Sequence, residues 1–216
     1  MPDLSPMRLL FSHRPVSGVT AGIFLDRDGV INEQIAEGYV TRWREFRFVP
    51  GIFEALAGLA DLGVPVIVVS NQAAVEKGLV TRAELEQITR RFVGCLRRKG
   101  ARIDAVYYCP HVPGRRCSCR KPQPGLLGIA AREWRLDLGS SVLVGDSAVD
   151  VQAAHAAGCS ALLIDRTRNL VTGPLIGADG AGAGPIPDRV GEWLRASNSS
   201  QAVKQTVTDR TPTIYR

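Results

Sequence analysis

The four residues Asp26-Arg27-Asp28-Gly29 close a short apolar run that starts at Gly22. Two carboxylates spaced in this way can converge on one hard cation. Mg²⁺ is suited, because it takes one or two carboxylates together with carbonyls, waters and substrate phosphate. One acid can also attack phosphorus and form an acyl phosphate. The other can protonate the leaving oxygen and then take a proton from water. An EF-hand loop does not fit: Val30 falls where a third acidic ligand belongs, and Ile31 stands at the position that needs glycine. Three further pieces carry matching chemistry. Ser70-Asn71-Gln72 ends the β-branched run that starts at Val64, and its hydroxyl and amides can donate to phosphate oxygens. Lys121 sits before Pro122 and Pro124, and a cation on a stiffened loop is a phosphate ligand. Gly145-Asp146-Ser147 places a third carboxylate after another apolar run, with Asp150 four residues further on to support it from behind. Taken singly, each piece has an ordinary reading as a turn, a surface charge or an acid at a helix start.

A second constellation is Cys109-Pro110-His111 with Cys117-Ser118-Cys119, spaced C-x-H-x₅-C-x-C. Three thiolates and an imidazole make a closed tetrahedral set for structural Zn²⁺. The stretch between them, Val112 to Arg116, is polar and loop-like, so a metal is its natural organiser. Arg120 and Lys121 follow the last ligand directly, and zinc would aim both cations at the substrate. Cys95 and Cys159 read as buried small residues. Five cysteines are an odd count, which argues against a disulfide framework.

The elements that must position these groups alternate in type. Strands are expected at Gly22–Asp26, Val64–Ser70, Ile103–Tyr108, Ser141–Val144 and Ala161–Ile164. Helices are expected at Pro50–Gly63, from Thr81 to about Lys99, at Pro124–Trp134 and at Val149–Ala157. Thr81 with Glu84 forms a capping box. Such alternation implies βαβ units, an α/β fold and a doubly wound parallel sheet. Ligands then bind at the carboxyl ends of the strands, where the acids, Ser70 and Asn71 all fall. Residues 1–18 read as a flexible extension, 19–196 as the domain and 197–216 as a disordered tail. Gly173–Gly184 reads as a glycine-rich loop and Ile186–Ala196 as a last short helix.

In this order the four pieces resemble the haloacid dehalogenase (HAD) phosphohydrolases over about residues 22–165. The resemblance implies a Rossmann-like fold, Asp26 as nucleophile and Asp28 as general acid and base. It also implies Mg²⁺ held by Asp26, the Asp28 carbonyl and Asp146, and a phosphoryl group steadied by Ser70 and Lys121. The cysteine loop narrows the match to two zinc-loop groups, the D-glycero-D-manno-heptose-1,7-bisphosphate 7-phosphatases and the histidinol-phosphatase domains. Ile31-Asn32 and Gly38-Tyr39-Val40 are more similar to the heptose group. That group implies substrate contacts from residues 34–39, including Gly38 and Tyr39, and from Asn71, Gln72 and Arg120. The short loop from His111 to Cys117 fits the histidinol group. Only 41 residues separate Asp28 from Ser70, and 49 separate Asn71 from Lys121, leaving no room for a cap domain.

Composition sets the outer limits. With 216 residues, 45% apolar and 22% charged, the chain can bury a core, and no run of about 18 apolar residues suggests a membrane span. The start of the chain lacks a secretory apolar region, so the cytoplasm is the expected location. Net charge is +6, but residues 22–165 hold 18 basic and 16 acidic residues, so most of the net charge lies on the ends. A non-catalytic zinc-loop nucleic-acid module would need a basic face there. A monomer acting on a small phosphorylated sugar is expected, with neither nucleic acid nor membrane as partner.

Overall fold

In the central strands, alternate residues feed two separate cores, as the period of a pleated strand requires. Ile23, Leu25, Val66 and Val68 pack on one face with Ile52, Leu56, Leu85 and Phe92. Phe24, Ile67, Val69 and Leu143 pack on the other with Leu126, Ala130, Trp134 and Ala153. The computed structural model describes residues 4–13, 18, 20–165, 170–172 and 190. Its strands are β1 (Met7–Leu10), β2 (Ile23–Leu25), β3 (Val66–Asn71), β4 (Ala105–Cys109), β5 (Val142–Gly145), β6 (Ser160–Asp165) and β7 (Leu170–Thr172). Its helices are α1 (Ile52–Ala60), α2 (Arg82–Arg98), α3 (Gly125–Trp134) and α4 (Ala148–Ala157).

The strands form one sheet in the order β1-β4-β3-β2-β5-β6-β7. The five from β4 to β6 are parallel. Helices α1 and α2 cover one face and α3 and α4 the other, so the sheet is doubly wound. The order reverses at β2, whose neighbours are β3 and β5, and this opens a crevice at the carboxyl end of β2. Helix α2 begins as expected: Thr81 Oγ1 accepts from Glu84 N at 3.1 Å, and Glu84 Oε2 accepts from Thr81 N at 2.8 Å. The connections before and after β3 hold only loops, a 3₁₀ turn (Trp43–Glu45), α1, α2 and β4, so among the described residues no cap covers the crevice.

Two expectations change. Met7–Leu10, assigned to a flexible extension, is an edge strand antiparallel to β4, with Met7 and Leu9 buried. Four residues are too few for their alternation to stand out in sequence, yet they suffice to cover a sheet edge. The far edge, β7, is also antiparallel, so the sheet is mixed at both margins. The glycine-rich loop and the tail lie outside the described residues, as does the last helix apart from Val190.

Candidate active site

Asp26 follows β2 directly, and its N–H donates to the Val144 carbonyl of β5 at 2.9 Å. The chain then closes on itself: Ile31 N and Asn32 N donate to the Arg27 carbonyl at 2.8 and 3.1 Å. Gly29 lets this knot pass the next strand end. Its φ is +79°, and a Cβ there would lie 1.7 Å from Asp146 Oδ2. The three loops after β2, β3 and β5 therefore meet over one cleft of about 640 Å³. Asp26, Asp28, Ser70, Asn71, Arg120, Lys121, Asp146 and Asp150 line it, as do Gly38 and Tyr39.

Lys121 is the hub of the floor. Its Nζ lies 3.0 Å from Asp26 Oδ1 and 2.5 Å from Asp150 Oδ1, and it donates to the Val69 carbonyl at 2.9 Å. Burial would lower its pKa, but the two carboxylates outweigh that and raise it, so it stays an ammonium ion. Asn71 fixes the backbone of Lys121 from both sides: Asn71 Nδ2 donates to the Lys121 carbonyl and Lys121 N to Asn71 Oδ1, each at 3.0 Å. Asp150 also accepts from Ser147 Oγ at 2.6 Å and Ser147 N at 3.2 Å, so it both starts α4 and places the lysine.

The two acids of the first motif differ in environment. Burial raises the Asp26 carboxyl, Lys121 opposes this, and Asp150 and Asp28 add to it, leaving it above the ordinary range. Burial also raises Asp28, but Arg27 reverses that, helped by hydrogen bonds from Asn32 and Gln72, and holds it below the ordinary range. Arg27 Nη2 donates to both Asp28 oxygens at 2.8 and 2.9 Å, Asn32 Nδ2 to one at 2.9 Å and Gln72 Nε2 to the other at 2.8 Å. Arg27 and Asn32 escape a sequence reading, since nothing in their spacing shows that both side chains turn inward. Gln72 departs from expectation: it is 1% exposed and bonds Asp28 and Ser70 from behind, outside the cleft.

Asp26, Asp146 and Asp150 bring carboxylate oxygens within 4.8 Å of one another. Burial first, and then the Asp26 and Asp150 charges, push the Asp146 carboxyl up to about 6. Against these three carboxylates stands one buried ammonium ion, Lys121, 3.0 Å from Asp26 Oδ1. An oxygen-rich, under-neutralised set of this kind fits a hard divalent cation. Asp28 turns its carboxylate toward Arg27, Asn32 and Gln72.

The cysteine loop forms one wall. Cys109 Sγ is 3.3 Å from Cys119 Sγ, 3.4 Å from His111 Nδ1 and 4.0 Å from Cys117 Sγ, and His111 Nδ1 is 3.2 Å from Cys119 Sγ. Zn–S bonds of about 2.3 Å and Zn–N bonds of about 2.0 Å give tetrahedral edges of roughly 3.5 to 3.8 Å. The four donors already lie near that spacing, so the cluster fits zinc. The hydrogen bond between Cys109 and Cys119 lowers the Cys119 thiol and raises that of Cys109, so the pair shares one proton.

Fold and site together define a HAD-like phosphatase. A HAD-hydrolase-like family model matches residues 118–169. The D-glycero-β-D-manno-heptose-1,7-bisphosphate 7-phosphatase of Escherichia coli K12 is 37% identical over 193 residues, spanning 85% of this chain and 93% of that protein. The enzyme of the same name from Photorhabdus laumondii is 38% identical over 152 residues, 67% of this chain and 80% of that one. Among solved structures, the D,D-heptose 1,7-bisphosphate phosphatase of B. bronchiseptica, complexed with magnesium and phosphate, superposes with a TM-score of 0.67 at 32% identity, covering 82% of this chain and 99% of that chain. The chain belongs to the D-glycero-D-manno-heptose-1,7-bisphosphate 7-phosphatase family of HAD-like hydrolases. Among the described residues no helix is long and apolar enough to cross a membrane.

Proposed function

We propose that the chain removes the 7-phosphate of D-glycero-D-manno-heptose 1,7-bisphosphate through an aspartyl-phosphate on Asp26, with Mg²⁺ in the cleft and zinc in the cysteine loop. The observation that carries the chemistry is the gathering of Asp26, Asp28, Ser70, Lys121 and Asp146 at one end of the sheet, in an open cleft. The substrate rests on the relatives' named activity. Asp26, Asp146 and the Asp28 carbonyl are the proposed Mg²⁺ ligands. When bound, that ion supplies positive charge to the nucleophile and the phosphoryl oxygens.

The protein's own residues divide the remaining work. Lys121 and Ser70 hold phosphoryl oxygens in line with Asp26. Arg27, Asn32 and Gln72 hold Asp28 in place as a carboxylate, and it relays the proton of an incoming phosphate monoanion to the sugar oxygen only as that oxygen leaves. An Asp26 oxygen attacks phosphorus, the bond to the sugar oxygen breaks, and Asp28 gives that oxygen the proton. Water next attacks the phosphorus of the aspartyl-phosphate while Asp28 accepts its proton, and phosphate and free Asp26 result. Most of the acceleration comes from positioned charge. Zinc is proposed to hold the wall that carries Arg120 and ends at Lys121.

The test is phosphate release with Mg²⁺ from both anomers of heptose 1,7-bisphosphate and from histidinol phosphate, with wild type beside Asp26→Asn. The expected result is turnover of a heptose bisphosphate at least tenfold above histidinol phosphate in kcat/KM, abolished in the variant. Preference for histidinol phosphate would overturn the substrate, and substantial turnover by Asp26→Asn would overturn the nucleophile.

A further inference from the structure

The zinc loop brings three arginines to the cleft wall, and they are not equivalent. Arg115 Nη1 lies 3.1 Å from Glu76 Oε1, while Glu76 Oε2 accepts from Val112 N at 2.7 Å. Glu76 therefore neutralises Arg115 and braces the loop from the segment after β3. Arg120 Nη1 donates to the His111 carbonyl at 2.8 Å. That partner is neutral, so the Arg120 charge remains. Arg116 is exposed on the cleft wall and has no hydrogen-bond or ion-pair partner among the described residues. The acids of the cleft sit on its floor, Asp26, Asp28 and Asp146 in the loops that follow strands and Asp150 in the first turn of α4. The wall formed by Gln34, Ile35, Gly38 and Tyr39 is uncharged. The outer part of the cleft thus carries unbalanced positive charge, while the reacting phosphoryl group belongs on the floor with Lys121.

We infer that Arg116 is a specificity-determining residue, and that with Arg120 it holds a second anionic group, of the phosphate class, at the far end of the substrate. The inference rests on the heptose bisphosphate reading and assigns its second phosphate to this wall. A guanidinium is suited, since it pairs with phosphate oxygens in a fixed two-pronged geometry. The same wall disfavours phosphomonoesters whose far end is an ammonium ion. Glu76 explains why Arg116 rather than Arg115 does this: one arginine is spent on holding the loop and its neighbour is left to face the ligand.

The experiment compares kcat/KM for heptose 1,7-bisphosphate with that for heptose 7-phosphate, in wild type, Arg116→Gln and Arg116→Lys, with zinc content measured for each. The expected result is a wild-type ratio well above one that falls about tenfold in Arg116→Gln, chiefly through KM, and recovers in part in Arg116→Lys. The wild-type ratio should also fall as salt rises, with a shallower slope in Arg116→Gln, which a merely structural role would not produce. A wild-type ratio near one would overturn the bisphosphate reading itself. A wild-type preference left intact in Arg116→Gln, or lost equally for both substrates at full zinc content, would overturn the role of Arg116 alone.

Discussion

Replacing Gly29 with alanine adds one methyl group at the point where two catalytic loops touch. The new Cβ would lie 1.7 Å from Asp146 Oδ2 and 2.3 Å from its Cγ, whereas Cβ contacts under 3.0 Å are essentially never seen. The Asp146 carboxylate must therefore retreat by about 1.3 Å or more, or the Asp26-to-Asn32 knot must open. Misplacement of about 1 Å in a catalytic group can cost 10²-fold in rate. We expect kcat/KM to fall about 10²-fold and the Mg²⁺ activation constant to rise by at least about tenfold. The φ of +79° adds strain of about 1 to 2 kcal/mol, a Tm loss of roughly 2–8 °C. Gly63→Ala separates the two effects, since Gly63 has φ +69° with nothing within 4 Å of its added Cβ. That control should lose similar thermal stability while keeping its Mg²⁺ response. The assay is a Mg²⁺ titration of phosphate release, with thermal unfolding of each protein. A Gly29→Ala enzyme within twofold of wild type in both kcat/KM and Mg²⁺ activation would refute this reading of the cleft.

Two further predictions concern the metals. Cys117→Ser should lose zinc, measured by elemental analysis of the purified protein, and should raise KM, because the wall carrying Arg116 and Arg120 loses its organiser; an unchanged zinc content would sink the site. Asp146, held near 6 by burial and by Asp26 and Asp150, binds a proton below that pH, and the proton competes with Mg²⁺. The apparent Mg²⁺ constant should therefore be flat above about pH 7 and rise about tenfold per unit below about pH 6; a constant that does not change down to pH 5 would contradict the competition.

Much of the site was legible because parallel strands deliver their following loops to one edge. Asp26, Ser70 and Asp146 each follow an apolar run, so the fold class alone brought them together. Lys121 was legible from the prolines that stiffen its loop, and the gathering of Cys109, His111, Cys117 and Cys119 from their spacing. What stayed hidden depends on side-chain direction over one or two residues. Arg27 stands between two acids in a loop and reads as solvated, yet the turn at Gly29 drives it inward to 1% exposure, beneath Asp28 and beside the Tyr108 ring. Gln72 lies one residue past β3, where its N–H pairs with the Cys109 carbonyl and its side chain turns behind the cleft. Glu76 gave no signal at all, since its partners lie 36 and 39 residues away in a loop that has no regular period. The aromatic group at Trp43, Phe46 and Phe48 is packing, with Phe46 stacked on Phe92 of α2 at 5.2 Å.

The covalent step is open to direct chemical trapping. Wild type and Asp28→Asn would be mixed with heptose 1,7-bisphosphate and Mg²⁺, quenched in acid during turnover, and reduced with borohydride, which converts an aspartyl-phosphate into homoserine. Peptide mass spectrometry then reads each position. The covalent mechanism predicts homoserine at residue 26 alone in wild type, and little in Asp28→Asn, where the departing sugar oxygen lacks its proton donor. Quenched, actively turning-over enzyme with aspartate intact at residue 26, or with homoserine at another acid, would contradict Asp26 as the nucleophile.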